Sequence, residues 1–323
     1  MINAYCANGS LKTLAPADAS QQLPPDVVWI DLLEPTARED SHVESLLGVQ
    51  IPTRDDLKDI EPSSRLYTEN GAMFLTASLV VGAEGPDPGL TDVAFILAGN
   101  RLVTVRYANP KSFRLFIDAL GRAGETMDSA TLLLARLMET IADRTAEILE
   151  QAAGRVDKLS TDIFLDRGKR RPPRFLEGKL AEIAQCHRLV GKVRDSLASL
   201  SRLLTFVGNT PLMRQSEGDD SLCRTVAHDV ETLSEHATFV SANIAFLLDA
   251  SLGLINVEQN AIIKIFSIAS VVFLPPTLVA SIYGMNFHFM PELEWPAGYP
   301  LAIFGMLLSA IIPFFVFRWK GWL

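Results

Sequence analysis

Ile265 to Tyr283 reads IFSIASVVFLPPTLVASIY and Trp295 to Phe317 reads WPAGYPLAIFGMLLSAIIPFFVF. Neither stretch carries a charge, and only Gly284-Met285-Asn286-Phe287-His288-Phe289-Met290-Pro291-Glu292-Leu293-Glu294 separates them. Roughly 19 residues at about 1.5 Å of rise reach about 28 Å, close to the roughly 30 Å hydrocarbon layer of a bilayer. Two such segments joined by a short polar loop predict a membrane hairpin. The competing reading is a buried hairpin in a soluble core, but core helices are usually shorter and patterned. Pro275-Pro276 interrupts the hydrogen-bond ladder of the first span. Membrane helices tolerate this where neighbouring helices or water satisfy the freed carbonyls.

Ahead of the hairpin the chain is charged and globular in composition, and its net charge of −9 gives no general basis for binding nucleic acid. The first twenty residues hold one lysine, Lys12, and no apolar core. No secretory leader is therefore expected, and the large N-terminal part is expected in the cytosol. Lys264 precedes the first span and Arg318 and Lys320 follow the second, while the loop carries only Glu292 and Glu294 as charged residues. The positive-inside rule then puts the loop outside and both termini in the cytoplasm. Cys6, Cys186 and Cys223 are scattered, without the spacing of a disulfide framework or zinc ribbon. Cys186-His187 is no better as a metal pair, because adjacent helical side chains point about 100° apart.

Residues 1–126 read as mixed α/β. Val27 to Leu32, Ala72 to Val81, Val93 to Leu97 and Leu102 to Arg106 have strand character, with Gly99-Asn100 suiting a hairpin turn. Arg38 to Leu47 and Lys111 to Arg122 read as helices. After about Met127 long helical runs take over: Ala130 to Leu165, Leu176 to Val207, and Leu222 into the membrane. Their breaks fall at Pro172-Pro173 and Gly208-Asn209-Thr210-Pro211. The expected division is an α/β domain over 1–126, a helical hairpin over 127–221, a stalk helix over 222–261, membrane helices over 262–283 and 300–317, the loop over 284–299 between them, and a basic tail over 318–323. A helix this long cannot be covered by one small domain, and copies of itself are the economical partners.

Steps of four and three along that helix from Asp249 give Gly253, Asn256, Asn260, Ile263, Ser267, Ser270, Leu274, Thr277 and Ser281. Seven of these ten are polar in a segment otherwise rich in aliphatic and aromatic residues. A seam at a period of 3.5 is how parallel helices face a common axis. Lipid would penalise it, whereas inside a bundle it lines a water-filled path, with Ile263 and Leu274 as constrictions able to gate by dewetting. A small-residue seam for close helix packing is the plainer alternative. Asn256, Asn260 and Asp249 are larger and more polar than that requires. No lysine or arginine lies on the stripe, and Asp249 repeated in an oligomer is a ring of carboxylates favouring cations. Asn286, Glu292 and Glu294 offer oxygens at the external mouth, which suit the hydrated shell of Mg2+. No phosphate-cradling loop with Walker spacing occurs, so no nucleotide is expected.

Tyr283-Gly284-Met285-Asn286, with Met290-Pro291-Glu292-Leu293 after it, resembles the CorA family of magnesium and cobalt transporters. The resemblance extends through Ile255 to Asn260, Phe273 to Ala280 and Lys320-Gly321-Trp322-Leu323, and upstream to Trp29-Ile30-Asp31-Leu32 and Asp59-Ile60-Glu61. It implies an α+β membrane protein of the bacterial inner membrane: a funnel-shaped homopentamer with a cytoplasmic α/β domain, long stalk helices and two C-terminal transmembrane helices. Gly284, Met285 and Asn286 would form the filter, with Asn286 binding hydrated magnesium and Gly284 freeing the backbone for the turn. Asn260, Thr277 and Asp249 fall on pore-lining positions, and Arg318 and Lys320 would join a basic collar, or simply anchor the cytoplasmic side. Mg2+ would be both cargo and regulator, with Co2+ or Ni2+ as alternative cargo, and regulatory sites would draw on acids such as Asp92, Asp219, Asp220 or Asp229. His288 departs from the acid that relatives carry there, and an imidazole brings pH sensitivity. The basic run Arg167, Lys169, Arg170, Arg171 and Arg174 reads as a solvated turn.

Two other readings stay open. A zinc importer of the same superfamily would want nitrogen or sulfur ligands, which the stripe lacks. A two-span scaffold or signalling protein would tolerate apolar replacement of the stripe. An enzyme is not expected: Asp55-Asp56 and Asp219-Asp220 are merely adjacent, and no catalytic motif appears.

Overall fold

A computed structural model describes residues 2–7, 9–13, 23–58, 65–120, 127–164, 174–213, 216–286, 288 and 290–321. The chain divides into two compact units, Met1–Leu248 and Asp249–Leu323.

The first unit is built on one sheet with strands β1 (Ile2–Cys6), β2 (Leu11–Thr13), β3 (Val27–Leu33), β4 (Leu66–Glu69), β5 (Ala72–Val81), β6 (Gly89–Ala98) and β7 (Arg101–Arg106). Their order is β2-β1-β3-β7-β6-β5-β4. Among the described residues only the β3–β7 pair is parallel, and the other pairs are antiparallel. Turn chemistry sets the hairpins. Asn70 and Gly71 both take positive φ (50° and 79°), as the type I′ turn between β4 and β5 requires. Between β6 and β7 only Gly99 of Gly99-Asn100 does so, at 60°, which fits a type II′ turn.

Period-two alternation sends Ile30 and Leu32 to one face of the sheet and Trp29 and Asp31 to the other, and all four are buried. The first face packs with Val43, Ile51, Leu57, Ile96, Val103 and Val105. Val43 comes from helix α1 (Ala37–Leu47), which starts at a Thr36/Glu39 capping box and ends at Gly48 in the left-handed region. Against the other face lie α2 (Lys111–Leu120), α3 (Ala130–Phe164) and α4 (Phe175–Gly208). Phe113 and Phe116 of α2 bring their rings to 6.4 and 5.5 Å from Trp29. Ser199 of α4 accepts the Ser78 backbone N–H of β5 at 2.9 Å.

Helix α5 runs Glu217–Tyr283 in one piece, with Pro275 and Pro276 inside it. In the first unit it buries Cys223, Val226, Val230, Ala237, Val240, Ile244 and Leu247, one face at a spacing of three, four and seven. That burial stops at Ser251, and no described α5 residue beyond it is buried.

In the second unit, the rest of α5 is followed by a short 3-10 helix at Pro291–Glu294 and by α6 (Gly298–Trp319). Both helices are long and apolar enough to cross a membrane, and their apolar windows are unburied. The soluble-core reading would need them buried. Among the half-buried positions of α6, Gly298, Ala302, Gly305, Ser309, Ala310 and Pro313 are small, while Met306 and Phe317 are large; the small ones suit close packing of membrane helices.

Asp59-Ile60-Glu61, the basic residues at 167 and 169–171, Pro172-Pro173, Phe287, Phe289 and Trp322-Leu323, all singled out above, lie outside the described residues, as does the side chain of Glu292.

Candidate functional site

Helical geometry decides where the polar stripe points. Ile268, Val271, Val272, Pro275, Pro276 and Val279 are half-buried, and at 100° per residue they cluster on one side of α5. Asp249, Gly253, Asn256, Asn260, Ile263, Ser267, Ser270, Leu274, Thr277 and Ser281 are all exposed. Their mean direction lies roughly 140° away from the half-buried side. The stripe thus lies within the exposed arc of α5, which it shares with Phe266, Phe273 and Leu278. Ile263 is 61 % and Leu274 66 % exposed, far more than a closely packed seam within one chain would leave.

Two stripe hydroxyls have a fixed orientation. Thr277 Oγ1 donates to the Phe273 carbonyl at 2.7 Å and Ser270 Oγ to the Phe266 carbonyl at 2.9 Å. Their protons are thus turned back to the helix, and the oxygen lone pairs remain for acceptance. Pro275 and Pro276 lack amide hydrogens, so the Val271 and Val272 carbonyls four residues earlier lose their ladder partners.

At the end of α5, Gly284 N–H donates to the Ala280 carbonyl at 2.9 Å and Met285 N–H to the Ile282 carbonyl at 3.3 Å. The turn thereby closes the helix. Gly284 does not take a left-handed φ, which corrects the expectation that backbone freedom calls for glycine there. The reason is proximity: a Cβ would stand 3.1 Å from the Ala280 oxygen. Met285, Asn286, His288 and Glu294 are exposed. The Asn286 amide makes no hydrogen bond among the described residues. At the other end of the hairpin Arg318 lies in the last turn of α6 and Lys320 caps it. No group of three or more histidine, cysteine or acidic side chains able to hold a metal occurs among the described residues.

The family described as CorA-like Mg2+ transporter protein matches residues 25–319, nearly the whole chain. The chain belongs to the CorA family. It is 36 % identical over 323 residues, the full length of both proteins, to the magnesium transport protein CorA of Salmonella typhimurium strain LT2. Its identity to that of Escherichia coli K12 is also 36 % over the same span. In structure it is similar to the complete CorA magnesium transporter from Methanocaldococcus jannaschii, with a TM-score of 0.77 and 18 % identity, covering 100 % of this chain and 99 % of that one. This CorA-family chain is therefore an α+β membrane protein in a family of magnesium transporters, with an N-terminal α/β part, a long helix and two apolar C-terminal helices.

The acids considered for a regulatory site are not brought together in the CorA-family subunit. Asp92 accepts from Arg65 at 2.5 Å and from Ser78 Oγ at 2.6 Å. Asp219 is buried and accepts from Ser129 Oγ at 3.0 Å and Thr131 Oγ1 at 2.5 Å. Asp220 pairs with Arg224 at 2.8 Å. Asp229 is exposed; Asp143 is raised by burial, then by the charges of Glu139 and Asp229. The sequence reading also missed that Lys264, Ser267, Ile268 and Val271 share a cleft with Phe317 and Gly321. Their i, i+3, i+4, i+7 spacing marks one face of α5, but nothing in the sequence joins that face to the end of α6.

Proposed function

We propose that this chain assembles as a homopentameric channel of the bacterial inner membrane, both termini cytoplasmic, which admits Mg2+ down its electrochemical gradient. Co2+ and Ni2+ are alternative cargo. Cytoplasmic Mg2+ closes the path by favouring the shut state.

The observation that carries this reading is the direction of the stripe, away from the half-buried side of α5 and along its uncovered face. Lipid is a poor neighbour for Ser267, Ser270 and Thr277, and parallel copies of α5 would give these groups, and Asn256 and Asn260 ahead of them, a common wet axis. Mg2+ gives up its water reluctantly, so a path for it should offer acceptors to the hydrogens of its bound waters. Thr277 and Ser270 do this, since their own protons are committed to the helix backbone. The exposed Asn286 amide provides the same chemistry at the outer end, with Gly284 and Met285 shaping its approach. Asp249 supplies negative charge at the inner end, Ile263 and Leu274 the apolar constrictions, and Arg318 and Lys320 a basic rim. A divalent ion gains about twice 2.3 kcal/mol per 100 mV of inside-negative potential, so entry needs no nucleotide.

The test is Mg2+ flux into liposomes carrying wild type or Asn286→Ala, with native mass measured alongside. Flux should fall about tenfold in the variant at unchanged oligomeric mass, the loss of a hydrogen bond to a charged hydrate at about 1.5 kcal/mol. Equal flux would remove Asn286 from the filter, and no flux from either protein would favour the two-span scaffold.

A further inference from the structure

The cleft beside Lys264 borders the stripe at Ser267, and its other lining residues lie off the stripe. Its volume is about 410 Å³, within the range of ligand sites. Lys264, Ser267, Ile268 and Val271 line it from α5, and Phe317 and Gly321 from the end of α6. Gly321 sits at φ +69°, with nothing among the described residues within 4 Å of where a Cβ would stand.

The lining divides into two chemistries. Ile268, Val271 and Phe317 form an apolar slot that runs into the hydrocarbon part of the hairpin. At its mouth is the Lys264 ammonium, which makes no ion pair among the described residues; Arg318, next to Phe317, makes none either. The nearest acid on α5 is Glu258, and α6 has no acid. A second copy of the hairpin would bring no carboxylate to this depth, whereas an amphiphile with an anionic head and an acyl tail matches both halves of the cleft. We propose that this cleft seats an anionic phospholipid, its phosphate against Lys264 and one acyl chain along Ile268, Val271 and Phe317. The proposal rests on the membrane hairpin and is independent of which ion is carried.

Full-length protein would be exchanged into bilayer discs of phosphatidylcholine with an equal share of phosphatidylglycerol and released for native mass spectrometry. Phosphatidylglycerol should be retained over phosphatidylcholine, about fivefold less in Lys264→Gln, as one basic residue at an anionic surface predicts, and near wild-type level in Lys264→Arg. Val271→Trp fills the slot by a different route and should also expel the lipid. A photoreactive benzoylphenylalanine at Ile268 should yield a lipid-mass adduct. Equal retention of both lipids, or retention unchanged in Lys264→Gln and Val271→Trp, overturns the proposal. So does a covalent two-chain product from position 268, which would give the cleft to a second copy, or displacement of the lipid by inorganic phosphate alone.

Discussion

Arg106 holds Asp31 through two parallel hydrogen bonds, Nε to Oδ1 at 2.9 Å and Nη2 to Oδ2 at 2.7 Å, with both side chains closed off from water. The parallel register sets Asp31 opposite Thr104, and Arg106 lies two residues on, hence on the same face. Thr104 Oγ1 adds a third bond to Asp31 at 2.8 Å and accepts the Trp29 indole N–H at 3.0 Å. Losing one partner strands the other's charge. Arg106→Met should therefore cost about 3–5 kcal/mol, and the double variant Asp31→Leu/Arg106→Met much less. Thermal unfolding followed by tryptophan fluorescence compares them; a double variant as unstable as the single one would refute the stranded-charge account.

Thr277 gives a separable prediction, because its hydroxyl is satisfied within its own helix turn. Thr277→Val should leave assembly intact but remove a water acceptor from the stripe, lowering Mg2+ flux about fivefold for about 1 kcal/mol. Thr277→Ser should restore most of it. Flux in Thr277→Val equal to wild type would place the hydroxyl in helix packing alone.

His288 is exposed in the loop, so a charge gained there acts on the approach of cations. Mg2+ uptake by His288→Glu, profiled against Mg2+ concentration, should therefore exceed that of the wild type, most clearly at low ionic strength. Superimposable profiles would end the idea.

Cys223, buried on α5, has its thiol pushed up to about 11 by burial and, secondarily, by the Asp220 carboxylate. At pH 8 only about one such thiol in a thousand is thiolate, so maleimide should modify it only after unfolding. The folded form also keeps its proton where the unfolded one has lost it. This contribution to stability is full below about pH 9 and is lost as pH rises towards 11. Rapid labelling of the native protein at Cys223 would contradict the burial.

Long periodic elements were legible in the sequence. The Ala72–Val81 strand, the α3 and α4 helices and the unbroken run into the membrane emerge where expected, α5 beginning five residues earlier, at Glu217. Strands β1, β2 and β4 were missed because they are short and near the sheet edges, although Asn70-Gly71 carries the turn signal that flags β4. The Asp31–Arg106 pair was invisible because 75 residues separate its members and only the parallel pairing joins them. The stripe belongs to one helix and could be read by counting. The Lys264 cleft needs two helices at once and could not.

A last consequence concerns the newly made subunit. Because burial of α5 by its own chain stops at Ser251, a subunit entering the bilayer alone presents Ser267, Ser270 and Thr277 to acyl chains. Its solubility in lipid is therefore conditional on company. Chains that fail to find partners should be the ones that membrane proteases remove, and pulse-chase of the wild type against a stripe made apolar would show the lone wild-type chain to be the shorter-lived.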